Sequence, residues 1–228
     1  MRRRVQQESK AERPESAVQV QAGAVTLDGD LTLPDGARAV VLFAHGSGSS
    51  RHSPRNRHVA RLLNDARLAT LLTDLLSADE EAVDAYTLEY RFNIGLLAER
   101  RTGAVDWLKR PGQPARLPVG CFGASTGAAA ALIAAAERPE AVGAVVSRGG
   151  RPDLAGEALA RVRAPTLLLV GGHDYPVIDL NRQALAQLGC RDKQLVIVPG
   201  ATHLFEEPGT LDEVARQAAE WFTHYLVG

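Results

Sequence analysis

The sequence predicts an α/β fold: a mainly parallel central sheet with helices on both faces, preceded by an N-terminal antiparallel hairpin. Three observations carry this. Short apolar runs recur along the chain, and the run Ala39-Val40-Val41-Leu42-Phe43-Ala44 has no polar alternation, as expected of a strand buried on both faces. Helical patterns separate the runs for almost the whole length, the signature of βαβ units. Before them, Ala17 to Leu33 alternates and is broken by Ala22-Gly23 and Asp28-Gly29, as paired antiparallel strands would be.

The elements follow in order. Residues 1–16 read as a polar, flexible tail, and residues 17–228 as a single domain. Arg2, Arg3 and Arg4 are followed by polar residues and no apolar core, so a secretory signal is not expected and a cytoplasmic location is. After Ala39 to Ala44, strands are expected at Ala69 to Thr73, Leu117 to Phe122, Ala144 to Val146, Thr166 to Val170 and Leu195 to Val198. Each is a short, mostly apolar run of strand length. Helices are expected at Arg55 to Asp65, Asn93 to Leu108, Ser125 to Glu137, Asp153 to Ala160, Asn181 to Leu188 and Leu211 to Leu226. Only Gly149 to Ala164 is available for an insertion after the strand that follows the Ser125 helix. No large lid domain is therefore expected, and Ser77 to Arg91 is expected to rim an open site.

Composition narrows the function. The 228 residues suit one domain, with 45% hydrophobic and 23% charged residues. The net charge of −1 gives no electrostatic case for nucleic acid or an anionic membrane. No apolar stretch approaches the roughly 20 residues needed to span a bilayer. The two cysteines, Cys121 and Cys190, make neither a disulfide framework nor a C-x-x-C metal site. There is no Gly-Lys pair for a phosphate loop and no H-E-x-x-H. No metal or organic cofactor is implied.

In open parallel sheets the ligand site lies beyond the carboxyl ends of the strands. After Leu117 to Phe122 comes Gly123-Ala124-Ser125-Thr126-Gly127, a G-x-S-x-G between strand and helix. A serine at that sharp apex projects its hydroxyl over the sheet, while the small flanking residues let strand and helix approach. A serine hydroxyl needs a base, and His203 follows the last strand on a loop. The base needs an orienting acid; Asp174 is the first acid after Thr166 to Val170, with Asp179 and Glu206 in reserve. Two backbone donors are needed for an oxyanion: the Thr126 amide, and the Ser47 amide in His45-Gly46-Ser47-Gly48-Ser49-Ser50, with Gly48 as the alternative. Arg51, Arg55, Arg148 and Arg151 fall on loops near the same edge, and with Gly48 they are candidates for binding substrate, including an anionic group. The alternative is that these are solvated loop arginines.

Over roughly Ala24 to Leu226 the chain resembles the α/β-hydrolase superfamily, and within it the compact dienelactone hydrolase-like branch. The resemblance rests on His45 to Ser50 followed by Ser53-Pro54-Arg55-Asn56-Arg57, on the Ser125 turn, on Ser147-Arg148-Gly149-Gly150-Arg151-Pro152, and on Gly172-His173-Asp174 with His203. It implies the α/β-hydrolase fold and attack by Ser125 on an acyl carbonyl, with His203 as base and Asp174 holding the imidazole. The reading preferred on these residues is a serine hydrolase acting on a small-molecule ester, thioester or lactone. One departure matters: the branch's namesake carries cysteine where this chain has Ser125, so lactone hydrolysis does not transfer. Two other readings remain open: a catalytically silent scaffold on this fold, and an acyltransferase using the same triad.

Overall fold

The computed structural model describes residues 15–228. The tail expected over residues 1–16 lies almost wholly outside them. Its last two positions, Glu15 and Ser16, instead open β1 (Glu15–Ala22), which pairs antiparallel with β2 (Val25–Thr32). The remaining strands are β3 (Ala39–Ala44), β4 (Leu68–Thr73), β5 (Val119–Ala124), β6 (Val142–Arg148), β7 (Thr166–Gly171) and β8 (Lys193–Val198). They form one eight-stranded sheet in the order β1-β2-β4-β3-β5-β6-β7-β8. β2 meets β4 antiparallel, and every pairing from β4 to β8 is parallel.

The helices are α1 (Pro54–Asp65), α2 (Ala78–Thr87), α3 (Ile94–Leu108), α4 (Thr126–Glu137), α5 (Tyr175–Gln187) and α6 (Thr210–Val227). Successive strand side chains point to opposite faces, and both faces are covered. Val40, Leu42, Cys121 and Val145 join a core with α3 and α4. Their alternates Val41, Phe43, Phe122 and Val146 join a second core with α1 and α6. That is why the central strands read as unbroken apolar runs.

Three helices differ from expectation. α2 falls within the segment expected only as a rim, and Ser77 caps it: its hydroxyl accepts the Glu80 N–H, while the Glu80 carboxylate accepts the Ser77 N–H. α5 begins at Tyr175, well before Asn181, with Pro176 tolerated in the first turn, where a missing N–H costs nothing. Over Pro152–Arg161 the chain makes short 3-10 turns instead of an α-helix. Gly156, at φ 52° and ψ −131°, breaks them in the middle. No larger insertion occupies that place.

The chain runs from β3 outward to β4, then crosses back to place β5 on the other side of β3. This is the reversal point at which such sheets open a crevice. The loop after β3 and the turn after β5 therefore face each other across it.

Candidate active site

Ser125 sits between β5 and α4 at φ 52° and ψ −125°. A non-glycine residue with positive φ is uncommon, and it persists only where the surroundings hold it. Three backbone bonds do so: the Ser125 N–H donates to the Arg148 carbonyl at 3.3 Å, and the Ser125 carbonyl accepts from the Ala128 N–H at 3.1 Å and the Arg151 N–H at 3.0 Å. The Ser125 hydroxyl makes no capping hydrogen bond to α4, so it is not spent as an ordinary N-cap. The flanking glycines are steric requirements. A Cβ on Gly123 would lie 2.4 Å from the Ala128 Cα, and one on Gly127 would lie 2.4 Å from the His45 carbonyl oxygen.

His203 lies on the loop between β8 and α6, and its Nδ1 is 2.6 Å from the Asp174 Oδ2. Asp174 is the residue before α5, with a side chain only 12% exposed against 39% for His203. The carboxylate is thus sheltered and the imidazole reaches toward solvent. The reserve acids are engaged elsewhere: Asp179 with Arg182, and Glu206 with Arg55. The His203 loop packs on the segment after β6 whose backbone bonds to Ser125: a Cβ on Gly149 would lie 3.0 Å from the His203 carbonyl and 3.6 Å from its Nδ1. Sequence positions 125, 174 and 203 therefore converge at one end of the sheet.

The loop after β3 is locked to the elbow. The Ser47 hydroxyl donates to the Arg91 carbonyl at 2.7 Å. With its one proton used there, its 2.8 Å contact to the Thr126 Oγ1 must be a donation from the threonine. The Thr126 Oγ1 in turn accepts the Ser47 N–H at 3.0 Å. The Ser47 amide, expected as a free oxyanion donor, is thus engaged by the Thr126 side chain in this structure. Sequence reasoning noticed the Thr126 backbone and missed its hydroxyl, because the partner lies 79 positions away. Arg91, also missed, has its guanidinium Nε and backbone N–H on Asp84, which ties the α2–α3 segment to the same loop. His45 is buried with its Nδ1 2.9 Å from the Gly46 carbonyl, and burial pushes its pKa down, so it braces the loop as a neutral ring.

The four candidate arginines part company. Arg51 is committed to acids: its guanidinium pairs with Asp74 and approaches Asp28 and Asp30 at 3.7 Å. Arg151 pairs with Asp153 at 2.7 Å. Arg55 reaches Glu206 at 3.3 Å. Arg148 is buried with no acid beside it among the described residues, and burial, reinforced by the Arg55 charge, lowers its pKa to about 10. Gly48, at φ 71°, faces the Arg91 guanidinium. Burial raises the Cys121 thiol to about 12, so it stays protonated and inert. Among the described residues no group of three His, Cys, Asp or Glu is placed to hold a metal ion. Nor is any helix there long and apolar enough to cross a membrane.

The Dienelactone hydrolase family model matches residues 28–226. The chain belongs to the dienelactone hydrolase family. A dienelactone hydrolase from Anabaena variabilis is similar in structure, with a TM-score of 0.91 and 61% identity, covering 94% of this chain and 99% of that one. Est1E from Butyrivibrio proteoclasticus shares the fold at a TM-score of 0.76 and 16% identity, covering 93% of this chain and 99% of that one. Two Mycobacterium tuberculosis proteins named putative phosphoribosyl transferase are 56% identical over 211 residues, 92% of this chain. The matched part is 46% of each, so the chain spans about half the length of these relatives. As a dienelactone hydrolase family member the chain has the α/β-hydrolase architecture, and among the described residues no large insertion interrupts it.

Proposed function

We propose that this chain is a serine hydrolase that cleaves an ester, thioester or lactone of a small substrate through an acyl-enzyme on Ser125. The observation that carries the reading is Ser125 itself: a strained, uncapped serine at the strand-to-helix turn. The His203–Asp174 contact of 2.6 Å supports it. Ser125 Oγ attacks the acyl carbonyl carbon as His203 Nε2 takes its proton. Asp174 accepts from His203 Nδ1–H, which fixes the tautomer and favours the imidazolium. The tetrahedral oxyanion is held by the Thr126 N–H at the start of α4 and by an amide of the loop after β3. Ser47 serves if its N–H turns from the Thr126 hydroxyl, and Gly48 is the alternative. His203 then protonates the leaving group. Water, deprotonated by His203, attacks the acyl carbon, and the acid departs as Ser125 regains its proton.

The transferase name of the M. tuberculosis relatives covers proteins about twice the matched length. We therefore leave phosphoribosyl transfer to the part this chain does not match.

The test is reaction of the purified protein with a fluorophosphonate, read by intact mass, with Ser125→Ala alongside. One adduct on the wild type and none on the variant is expected. A folded wild type that takes no adduct overturns the reading and leaves a silent scaffold. An ester product that grows with added alcohol acceptor at the expense of free acid would mark acyl transfer instead.

A further inference from the structure

His203 sits at the apex of a tight turn in the loop between β8 and α6, and the two legs of that turn are held differently. The turn closes through the Phe205 N–H, which donates to the Thr202 carbonyl at 3.2 Å. The later leg is fixed by packing. Phe205 is 2% exposed and sits in the core with α1 and α6, and that anchorage holds its unusual φ of 56°. The earlier leg is Thr202, which is exposed, so packing does little to hold it. Its donors go instead to one side chain. The Thr202 hydroxyl donates to the Glu207 Oε1 at 2.6 Å, and the Thr202 N–H donates to the Glu207 Oε2 at 3.0 Å. Glu207 is itself fastened to the start of α6, where its carbonyl accepts the Thr210 N–H at 3.1 Å and the Thr210 hydroxyl at 2.8 Å. Its neighbour Glu206 goes to Arg55 instead.

The earlier leg also lies against the segment that leads to the orienting acid. The His173 N–H donates to the Ala201 carbonyl at 2.9 Å, and a Cβ on Gly171 would lie 2.5 Å from the Ala201 and Thr202 carbonyl oxygens. A shift of Thr202 therefore changes where the His203 Nδ1 stands relative to the Asp174 Oδ2, 2.6 Å from it. The Thr202 hydroxyl, then its N–H, hold the Glu207 carboxyl below the usual carboxylate value, so at neutral pH an anion accepts both bonds. We propose that Glu207 is a positioning residue for the base: through Thr202 it sets the turn that presents His203 to Asp174 and Ser125. The consequence for turnover rests on the hydrolase reading; the consequence for the His203–Asp174 contact does not. Thr202 is exposed, so water readily replaces the lost bonds and stability changes little; what is lost is alignment.

The experiment compares full-length wild type with Glu207→Ala, Glu207→Gln and Thr202→Val. Two quantities are read: kcat and KM on p-nitrophenyl acetate, and the ring-nitrogen NMR shifts of neutral His203, assigned with His203→Ala, which report its tautomer. Alanine removes both bonds, so kcat should fall about tenfold to a hundredfold with KM nearly unchanged, the effect of a misplaced catalytic group. The ring shifts should move from the Nδ1–H form held by Asp174 toward a mixture of tautomers. Glutamine keeps two bonds, because its carbonyl accepts the Thr202 N–H while its amide donates to the Thr202 oxygen, so it should restore both readouts. Thr202→Val removes the hydroxyl bond alone and should fall between. A folded Glu207→Ala protein with wild-type kcat and ring shifts overturns the proposal. So does a glutamine variant as impaired as alanine, which would make the charge and not the clamp responsible. If Glu207→Ala does not fold, Thr202→Val decides, and no change there is equally fatal. Fluorophosphonate labelling of the wild type separates the two readings. Ring shifts that move in Glu207→Ala, on a wild type that takes no label, sink the hydrolase and leave the clamp; labelling with unmoved shifts and kcat does the reverse.

Discussion

Replacing Thr126 with valine tests the lock between the two loops of the site. The substitution is close to isosteric, so it opens almost no cavity; it removes one hydroxyl. Thr126 is 7% exposed, so water does not readily replace what is lost. Two hydrogen bonds disappear, one accepted from the Ser47 N–H and one donated to the Ser47 hydroxyl. Stranding the half-buried Ser47 amide falls within the range of about 1–3 kcal/mol for a lost partner, and the second bond adds less because Ser47 keeps its donation to the Arg91 carbonyl. We expect a loss of about 2 kcal/mol, which lowers Tm by about 4–8 °C in a domain of this size. Thr126→Ser, which keeps the hydroxyl, separates this from the loss of a methyl group and should cost about half as much. The assay is urea and thermal unfolding of all three proteins, followed by turnover of p-nitrophenyl acetate. A loosened loop misplaces the oxyanion donors, so turnover in the valine variant should fall about tenfold or more. A valine variant as stable as wild type, or no worse than the serine one, refutes the lock.

Three further outcomes are expected. Asp174→Asn removes the charge that favours the imidazolium and can turn its amide N–H₂ toward His203 Nδ1, which holds the wrong tautomer, so kcat on the same ester should drop about 10⁴-fold, the size seen for the equivalent change in serine proteases; a loss under about tenfold would mean another group orients the histidine. Gly127→Ala puts a methyl 2.4 Å and 2.5 Å from the His45 and Ala44 carbonyl oxygens. Neither backbone group can retreat, so the cost should be about 3 kcal/mol or more, read by chemical denaturation; a melt within about 2 °C of wild type would contradict it. Burial of Glu80 raises its pKa, but the Ser77 N–H and Arg100 outweigh this and hold it below the ordinary carboxylate value. A carboxylate depressed on folding stabilises above its unfolded pKa, and that contribution fades as pH falls through the lower folded pKa. The stability gap between wild type and Glu80→Gln should therefore be open at pH 7 and close as pH drops below about 4.3. Melting curves across that range check it, and a gap that stays constant would show that the Glu80 charge contributes nothing.

The strands were legible because a strand covered on both sides must be apolar at every position, and Ala39–Ala44 stands where that rule places it. The hairpin was legible from its alternation and glycines. Ser125, Asp174 and His203 could be named because each follows a strand, and strands of a parallel sheet share one carboxyl edge. What failed was local. Gly156 turns an expected helix into short 3-10 turns. α2 was passed over although Ser77-Ala78-Asp79-Glu80 carries its capping box, since the helix buries only Asp84 and shows no apolar stripe.

The sequence by itself determined the order of strands and helices and the kinds of residue that reach the crevice. Hydrophobic period and turn chemistry are properties of neighbours along the chain. Only the tertiary structure decided which of those residues are free to act. Arg51, Arg55, Arg148 and Arg151 look alike as letters, yet three have carboxylates beside them and Arg148 has none among the described residues. The Ser47 amide looks free until a threonine hydroxyl from the other side of the crevice is found on it. Pairing and desolvation depend on distances between residues far apart in the chain, and the folded packing alone sets those distances.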